Sequence, residues 1–317
     1  MNIAYFGSPE ISASLLQKLL DNGLPISFIV TNPDRKKGKR LSITKTPIKQ
    51  LAIDRQIDFF DKPLTRQTES LLIKKLHDHN ISICIVFAYG SILSTKLLTS
   101  VNRGFINVHP SLLPKYRGPS PIVYPLMLGE TETGVSIIEI NEKVDAGDIL
   151  AQEVVPISID QNKQSLIEEL IVVASQLVTA VINNSIEFNR VKQNNEKATY
   201  TKLLKKNDGF VKVDFIQSAL GLKQKSESLI PPIIASYAKR FHITLPTSLI
   251  DVLYNLYRGL DPWPGIWTIV ETPKGIKRLK ITSMSLSGNK PVIKIVQLEG
   301  KRPVDFPTFN KAYNIFI

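Results

Sequence analysis

Asn107 and His109 stand two residues apart in Phe105-Ile106-Asn107-Val108-His109-Pro110. Ser111-Leu112-Leu113-Pro114 follows directly, and Val144-Asp145-Ala146-Gly147-Asp148 comes some thirty-odd residues later. An amide, an imidazole and a carboxylate are the groups that acyl-type transfer uses. The amide can hold an oxygen that gains negative charge, the imidazole can handle a proton, and a carboxylate beside it fixes the tautomer and raises basicity. With apolar Phe105, Ile106 and Val108 around them, Asn107 and His109 read as two projections from one face of a short strand. Each has a plainer reading. His109 beside a proline could be a satisfied loop or core histidine, Asn107 a strand-end cap, and Asp145 and Asp148 turn formers around Gly147. Their conjunction points to a site.

Such a trio needs a rigid frame. Asn2 to Phe6 and Pro25 to Val30 read as short buried strands. Between them lies an amphipathic helix, Ile11 to Asn22, with leucines at 15, 16, 19 and 20 and Gly23 as its closing residue. Thr68 to Asn80 has a helical pattern, Ile81 to Phe87 reads as another buried strand, and Phe105 to Val108 follows. Strands alternating with helices imply an α/β fold with a mainly parallel sheet. Ligands of such sheets bind beyond the carboxyl ends of the strands, where Gly7, Gly90 and His109 all fall. Gly7-Ser8-Pro9 opens a helix whose amides could hold an anion, but it is not a GxGxxG dinucleotide fingerprint.

A chain of 317 residues suggests about two domains, since single cores stop growing near about 250–300 residues. Cys84, inside an apolar run, has no partner for a disulfide. It reads as a core residue in a reducing compartment. No histidine and cysteine spacing suggests a metal; His77 and His79 read as surface residues and His242 has no identifiable partner. No charged-then-apolar leader is visible, and no apolar stretch reaches the roughly 18–20 residues of a spanning helix. The expectation is a soluble, cytoplasmic monomer. Charge is uneven: residues 1–200 carry 22 basic and 20 acidic side chains, residues 201–317 carry 18 and 8. A carboxy-terminal surplus favours a polyanion as partner, against the plainer reading of a solvated lysine-rich surface. From Lys274 to Arg302 eight basic residues and one acidic residue alternate with strand-like runs, as in a small basic barrel. Asp34 to Lys49 reads as a loop with seven basic residues, among them Arg35, Lys36, Lys37, Lys39, Arg40 and Lys45.

The Asn-x-His, the Ser-Leu-Leu-Pro and the following Asp resemble the folate-dependent formyltransferases. The likeness extends to Asn2-Ile3-Ala4-Tyr5-Phe6-Gly7-Ser8-Pro9-Glu10, Thr31-Asn32-Pro33-Asp34-Arg35, Thr46-Pro47-Ile48-Lys49, Ala88-Tyr89-Gly90, Lys115-Tyr116-Arg117-Gly118 and Arg258-Gly259-Leu260-Asp261-Pro262-Trp263-Pro264-Gly265. It covers nearly the whole chain except about 216–250. Residues 188–206, polar and rich in Asn and Lys, read as an interdomain linker, and the resemblance implies a Rossmann-like formyltransferase domain over 1–187 before it and a smaller basic, OB-like β-barrel domain for tRNA over 207–317 after it. It implies 10-formyltetrahydrofolate as donor and the α-amine of methionine on initiator tRNA as acceptor. Asn107, His109 and Asp145 are then catalytic. Phe87, Ala88, Tyr89, Gly90 and the turn Ser111, Leu112, Leu113, Pro114 bind folate, and the basic loop enters the acceptor arm. That loop's middle, Lys36-Lys37-Gly38-Lys39-Arg40, has more lysine than the family's Pro-Ala-Gly-Arg-Gly pattern. A sugar-nucleotide formyltransferase would share the trio but not the basic loop. A glycinamide ribonucleotide formyltransferase would be little more than the first domain. An RNA-binding protein with a degenerate catalytic domain would lose folate binding.

Overall fold

The computed structural model describes residues 1–37, 42–183, 190–224 and 229–316. The chain forms two compact units. The first comprises Met1–Gly118, Gly134–Val155 and Ile167–Tyr200, the second Pro119–Thr133, Pro156–Leu166 and Thr201–Ile317. In chain order the elements begin with β1 (Asn2–Phe6), α1 (Glu10–Asp21), β2 (Ile26–Val30), β3 (Arg35–Lys37), β4 (Ser42–Thr44), α2 (Pro47–Asp54) and β5 (Asp58–Phe60). Then come α3 (Arg66–Asp78), β6 (Ile81–Val86), α4 (Thr95–Leu98), β7 (Phe105–His109), α5 (Val123–Leu128), β8 (Glu132–Glu139), β9 (Ile149–Pro156) and α6 (Lys163–Ile182).

Seven strands form one sheet in the order β5-β2-β1-β6-β7-β8-β9. The pairs from β5 to β7 are parallel and β7 to β8 is antiparallel. Nearly every side chain of β1, β2 and β6 is buried, as strands covered on both faces require. Leu15, Leu16 and Leu19 are fully buried on α1, and the helix ends where Gly23, at φ +78°, turns left-handed as glycine can. Cys84 lies in the core beside Phe6, Phe105 and Leu97, and burial pushes its thiol well above its ordinary value. It is a packing residue.

Two expectations need correction. The stretch from Asp34 to Lys49 is not an irregular loop: β3 and β4 pair antiparallel, Arg35 opposite Thr44 and Lys37 opposite Ser42, and α2 begins at Pro47. With Ile43 as the one apolar residue in its two short strands, the ribbon shows no apolar alternation, so periodicity misses it. And one helix, α6, is long and apolar enough by length and composition to cross a membrane. Its Leu166, Leu170, Ile171, Ala174, Val178, Val181 and Ile182 are buried at helical spacing, which is the stripe of a core helix.

The second unit continues with α7 (Val213–Ala219), α8 (Pro232–Phe241), α9 (Leu249–Leu260), β10 (Ile266–Thr272), β11 (Gly275–Ser287), β12 (Lys290–Leu298), β13 (Val304–Asp305) and α10 (Phe306–Tyr313). The small basic β domain takes the form of a four-stranded sheet, β10-β11-β12-β13, with antiparallel pairing throughout. Arg258-Gly259-Leu260 proves structural: a Cβ on Gly259 would lie 2.9 Å from Met127 Cγ and 3.2 Å from the Val123 carbonyl, so only glycine lets α9 approach α5. Arg258 is buried and donates to Asn255 and to the carbonyls of Ser158 and Gln161. Within the segment that departs from the family, α8 buries Ile233, Ile234 and Tyr237, whose ring lies 4.6 Å from that of Tyr124 on α5.

Candidate active site

Parallel pairing of β1, β6 and β7 sets their carboxyl ends side by side, so Gly7, the Phe87–Gly90 loop and His109 emerge at one edge. β8 returns antiparallel with Asn107 opposite Ile138 and His109 opposite Ser136, and the chain then loops through residues 140–148 before β9. That loop carries Asp145 back to the end of β7. Gly147 is required here, because a Cβ would meet the Glu139 carbonyl oxygen at 1.7 Å.

Asp145 lies between the other two members of the trio. Its Oδ1 accepts from Asn107 Nδ2 at 3.4 Å and its Oδ2 stands 3.7 Å from His109 Nδ1. The first is a long hydrogen bond and the second an ion-pair contact beyond hydrogen-bond distance. A firmer anchor is the Gly118 N–H, which donates to Asp145 Oδ2 at 2.7 Å. His109 is buried, and its Nε2 lies 3.0 Å from the Tyr116 carbonyl. A carbonyl only accepts, so Nε2 carries a hydrogen and the ring presents Nδ1 to Asp145. Asp145 itself has φ +52°, a left-handed conformation that Asp tolerates better than most residues.

Ser111 to Pro114 is fixed from within the first unit. Ser111 Oγ donates to the Lys115 carbonyl at 2.8 Å, Ser136 Oγ donates to the Ser111 carbonyl and accepts from Leu113 N, and Gln152 Nε2 donates to the Leu113 carbonyl. In the other loop Phe87 uses its N–H on the Phe6 carbonyl, and its own carbonyl accepts from Ser12 Oγ. Ala88 and Gly90 are left-handed at φ +50° and +78°. Tyr89 packs edge-on to Phe6 at 5.6 Å, and burial pushes its phenol up to about 12. Asn32 holds this loop by donating to the Tyr89 carbonyl at 2.5 Å and accepting from Ser91 Oγ at 3.0 Å. Its place in the Thr31-Asn32-Pro33 turn was visible in the sequence, but this positioning contact was not.

Of the basic residues expected to meet RNA, Arg35, Lys36 and Lys37 form strand β3 and Lys45 is exposed just after β4. Lys39 and Arg40 lie outside the described residues. Lys49 is committed elsewhere: its ammonium sits 2.8 Å from both Asp34 and Asp61, whose hydrogen bonds raise its pKa. Among the described residues no cluster of three metal-binding side chains occurs.

The sequence model of the formyl transferase family matches residues 1–182. The chain is similar to the methionyl-tRNA formyltransferase of Roseiflexus castenholzii, at 32% identity over 307 residues, covering 96% of this chain and 93% of that one. It is similar to that of Geotalea uraniireducens at 30% identity, covering 99% and 96%. Among solved structures it is similar to an N-formyltransferase of Helicobacter canadensis, determined with folinic acid and dTDP-3-aminofucose, with TM-score 0.56, 18% identity, and 90% and 87% of the two chains covered. That last likeness is one of fold.

Proposed function

The chain belongs to the formyl transferase family, and from that premise we propose that Asn107, His109 and Asp145 carry out formyl transfer. The enzyme moves the formyl group of 10-formyltetrahydrofolate to the α-amino group of methionyl initiator tRNA, giving N-formylmethionyl-tRNA for translation initiation. The observation that carries the catalytic assignment is the single carboxylate, Asp145, placed against both the Asn107 amide and the His109 imidazole.

The donor supplies an activated formyl carbon. The methionyl nitrogen attacks it as the neutral amine, the carbonyl oxygen takes negative charge, and the carbon–nitrogen bond to the folate breaks as that nitrogen gains a proton. No covalent enzyme intermediate is needed. Asn107 keeps a side-chain N–H for the developing oxyanion. His109, fixed through Nε2 by the Tyr116 carbonyl, serves as the second stabiliser of that oxygen through Nδ1 when that nitrogen carries a proton, the form in which Asp145 can also orient it. Asp145 orients both and helps remove the amine proton through water. Long separations such as 3.7 Å are usual before substrate tightens a site.

The loop Phe87, Ala88, Tyr89, Gly90 and the turn Ser111 to Pro114 hold the folate. With the Phe87 N–H already used, backbone recognition falls to Ala88, Tyr89 and Gly90. Arg35, Lys36, Lys37, Lys39, Arg40 and Lys45 contact phosphates of the acceptor arm, which positions RNA without reading its sequence. The proposed domains are 1–187 catalytic and 207–317 tRNA-binding, with 188–206 joining them, its residues up to Tyr200 belonging to the first compact unit. The enzyme works as a cytoplasmic monomer, away from membranes. The test is a competition in which labelled 10-formyltetrahydrofolate is offered initiator methionyl-tRNA, elongator methionyl-tRNA and an amino-sugar nucleotide together. Label enters the initiator alone; label in the sugar nucleotide overturns the acceptor, and label in none overturns the enzyme.

A further inference from the structure

Residues 190–200 form a strap hydrogen-bonded to the segments that hold the trio, and we propose that Gln193 is the positioning residue that locks the catalytic aspartate. This inference rests on the catalytic reading of Asn107, His109 and Asp145. The strap begins where Val191 and Ile149 exchange two backbone hydrogen bonds, at 2.9 and 3.0 Å. It ends where Thr199 accepts from Arg117 N through its carbonyl and from Tyr116 N through its Oγ1, while its own N–H donates to the Pro114 carbonyl. It is therefore tied to both segments that hold the trio. Residues 116–118 supply the Tyr116 carbonyl to His109 and the Gly118 amide to Asp145. Residues 145–147 are the aspartate's own loop.

Gln193 joins the two directly. Its Oε1 accepts from Arg117 Nε at 3.0 Å and Nη2 at 2.7 Å, and its Nε2 donates to the carbonyls of Asp145 at 2.9 Å and Gly147 at 2.8 Å. The amide orientation follows from chemistry: a guanidinium only donates and a carbonyl only accepts, so oxygen faces Arg117 and nitrogen the loop. Every hydrogen-bonding position of the amide is used. Arg117 is buried and also donates to Asn195 Oδ1 at 3.0 Å. Only a glutamine has the reach and the two-sided chemistry to take a fixed cation on one side and two peptide carbonyls on the other. Displacement of a catalytic group by about 1 Å can cost about a hundredfold in rate.

Gln193→Glu separates this role from a merely structural one. A glutamate keeps its acceptor toward Arg117 but has no N–H for the loop carbonyls, so the strap stays anchored while the Asp145 loop is released. Gln193→Ala removes both links. Each variant should lose about tenfold to a hundredfold in kcat, with KM for folate and for tRNA within about threefold of wild type and with full stoichiometry of folate binding by calorimetry. Wild-type kcat in Gln193→Glu overturns the proposal. So does a raised KM with unchanged kcat, which would make Gln193 a substrate contact, or a loss of rate matched by a loss of folate-binding sites, which would make it structural. Asp145→Asn is measured in parallel; if it keeps wild-type kcat, the catalytic reading itself has failed.

Discussion

Asn107 and His109 share Asp145, but through unequal contacts, and that inequality orders the expected effects. Asn107 is half-buried and has one weak tie to Asp145, at 3.4 Å, so its loss removes an oxyanion donor with little structural consequence. Asn107→Ala should lower kcat by about a hundredfold to a thousandfold with melting temperature nearly unchanged; a drop under tenfold would remove Asn107 from that role. Gly147→Ala tests the loop, since a Cβ at 1.7 Å from the Glu139 carbonyl forces the backbone apart. Destabilisation of about 1–3 kcal/mol in urea titration is expected, with loss of activity. Away from the chemistry, Lys49 draws stability from Asp34 and Asp61. Its raised folded pKa means this contribution is fully present below the unfolded lysine value of about 10.4 and is lost as pH rises through the folded one. Lys49→Met should melt at a lower temperature at neutral pH and approach wild type as pH rises through the raised folded lysine value; an equal deficit at all pH would mean that packing, not charge, is lost.

At the scale of elements, the sheet was legible because β1, β2, β6 and β7 are short apolar runs, and the observed strands fall within a residue of those expected. The three chemical residues were legible because β7 delivers two of them at strand spacing. What stayed hidden has no period to read. The β3–β4 ribbon is short and has a single apolar residue, Ile43, and the strap is irregular chain whose hydrogen bonds join residues far apart in sequence, such as Gln193 and Asp145. Lys115-Tyr116-Arg117-Gly118 stood out as a motif, yet Tyr116 and Gly118 act through backbone atoms and Arg117 through Gln193, roles that residue type alone does not disclose. The ribbon yields its own prediction. Replacing Lys36, Lys37, Lys39 and Arg40 together by alanine should raise KM for tRNA by about tenfold or more with kcat and folate KM held, and should flatten the salt dependence by roughly 0.7 to 0.9 per lost phosphate contact. An unchanged KM for tRNA would remove the ribbon from the RNA surface.

Across the whole molecule the surplus of positive charge falls after residue 200, which holds 18 basic and 8 acidic side chains, while the proposed catalytic trio belongs to the first compact unit. Chemistry and polyanion affinity are thus separable quantities. Raising monovalent salt from about 50 to about 200 mM should raise KM for tRNA by tenfold or more and move folate KM less than threefold. Equal sensitivity of both would argue that charge near the folate turn, not the carboxy-terminal surplus, sets the salt response. The central claim is that the trio transfers a formyl group to methionyl initiator tRNA, and single-turnover formyl transfer from labelled 10-formyltetrahydrofolate, with wild type beside His109→Ala, tests it most directly. Rapid labelling by wild type and at least a hundredfold slower labelling by a His109→Ala enzyme that still binds folate is the predicted result. Equal single-turnover rates for the two would contradict the account.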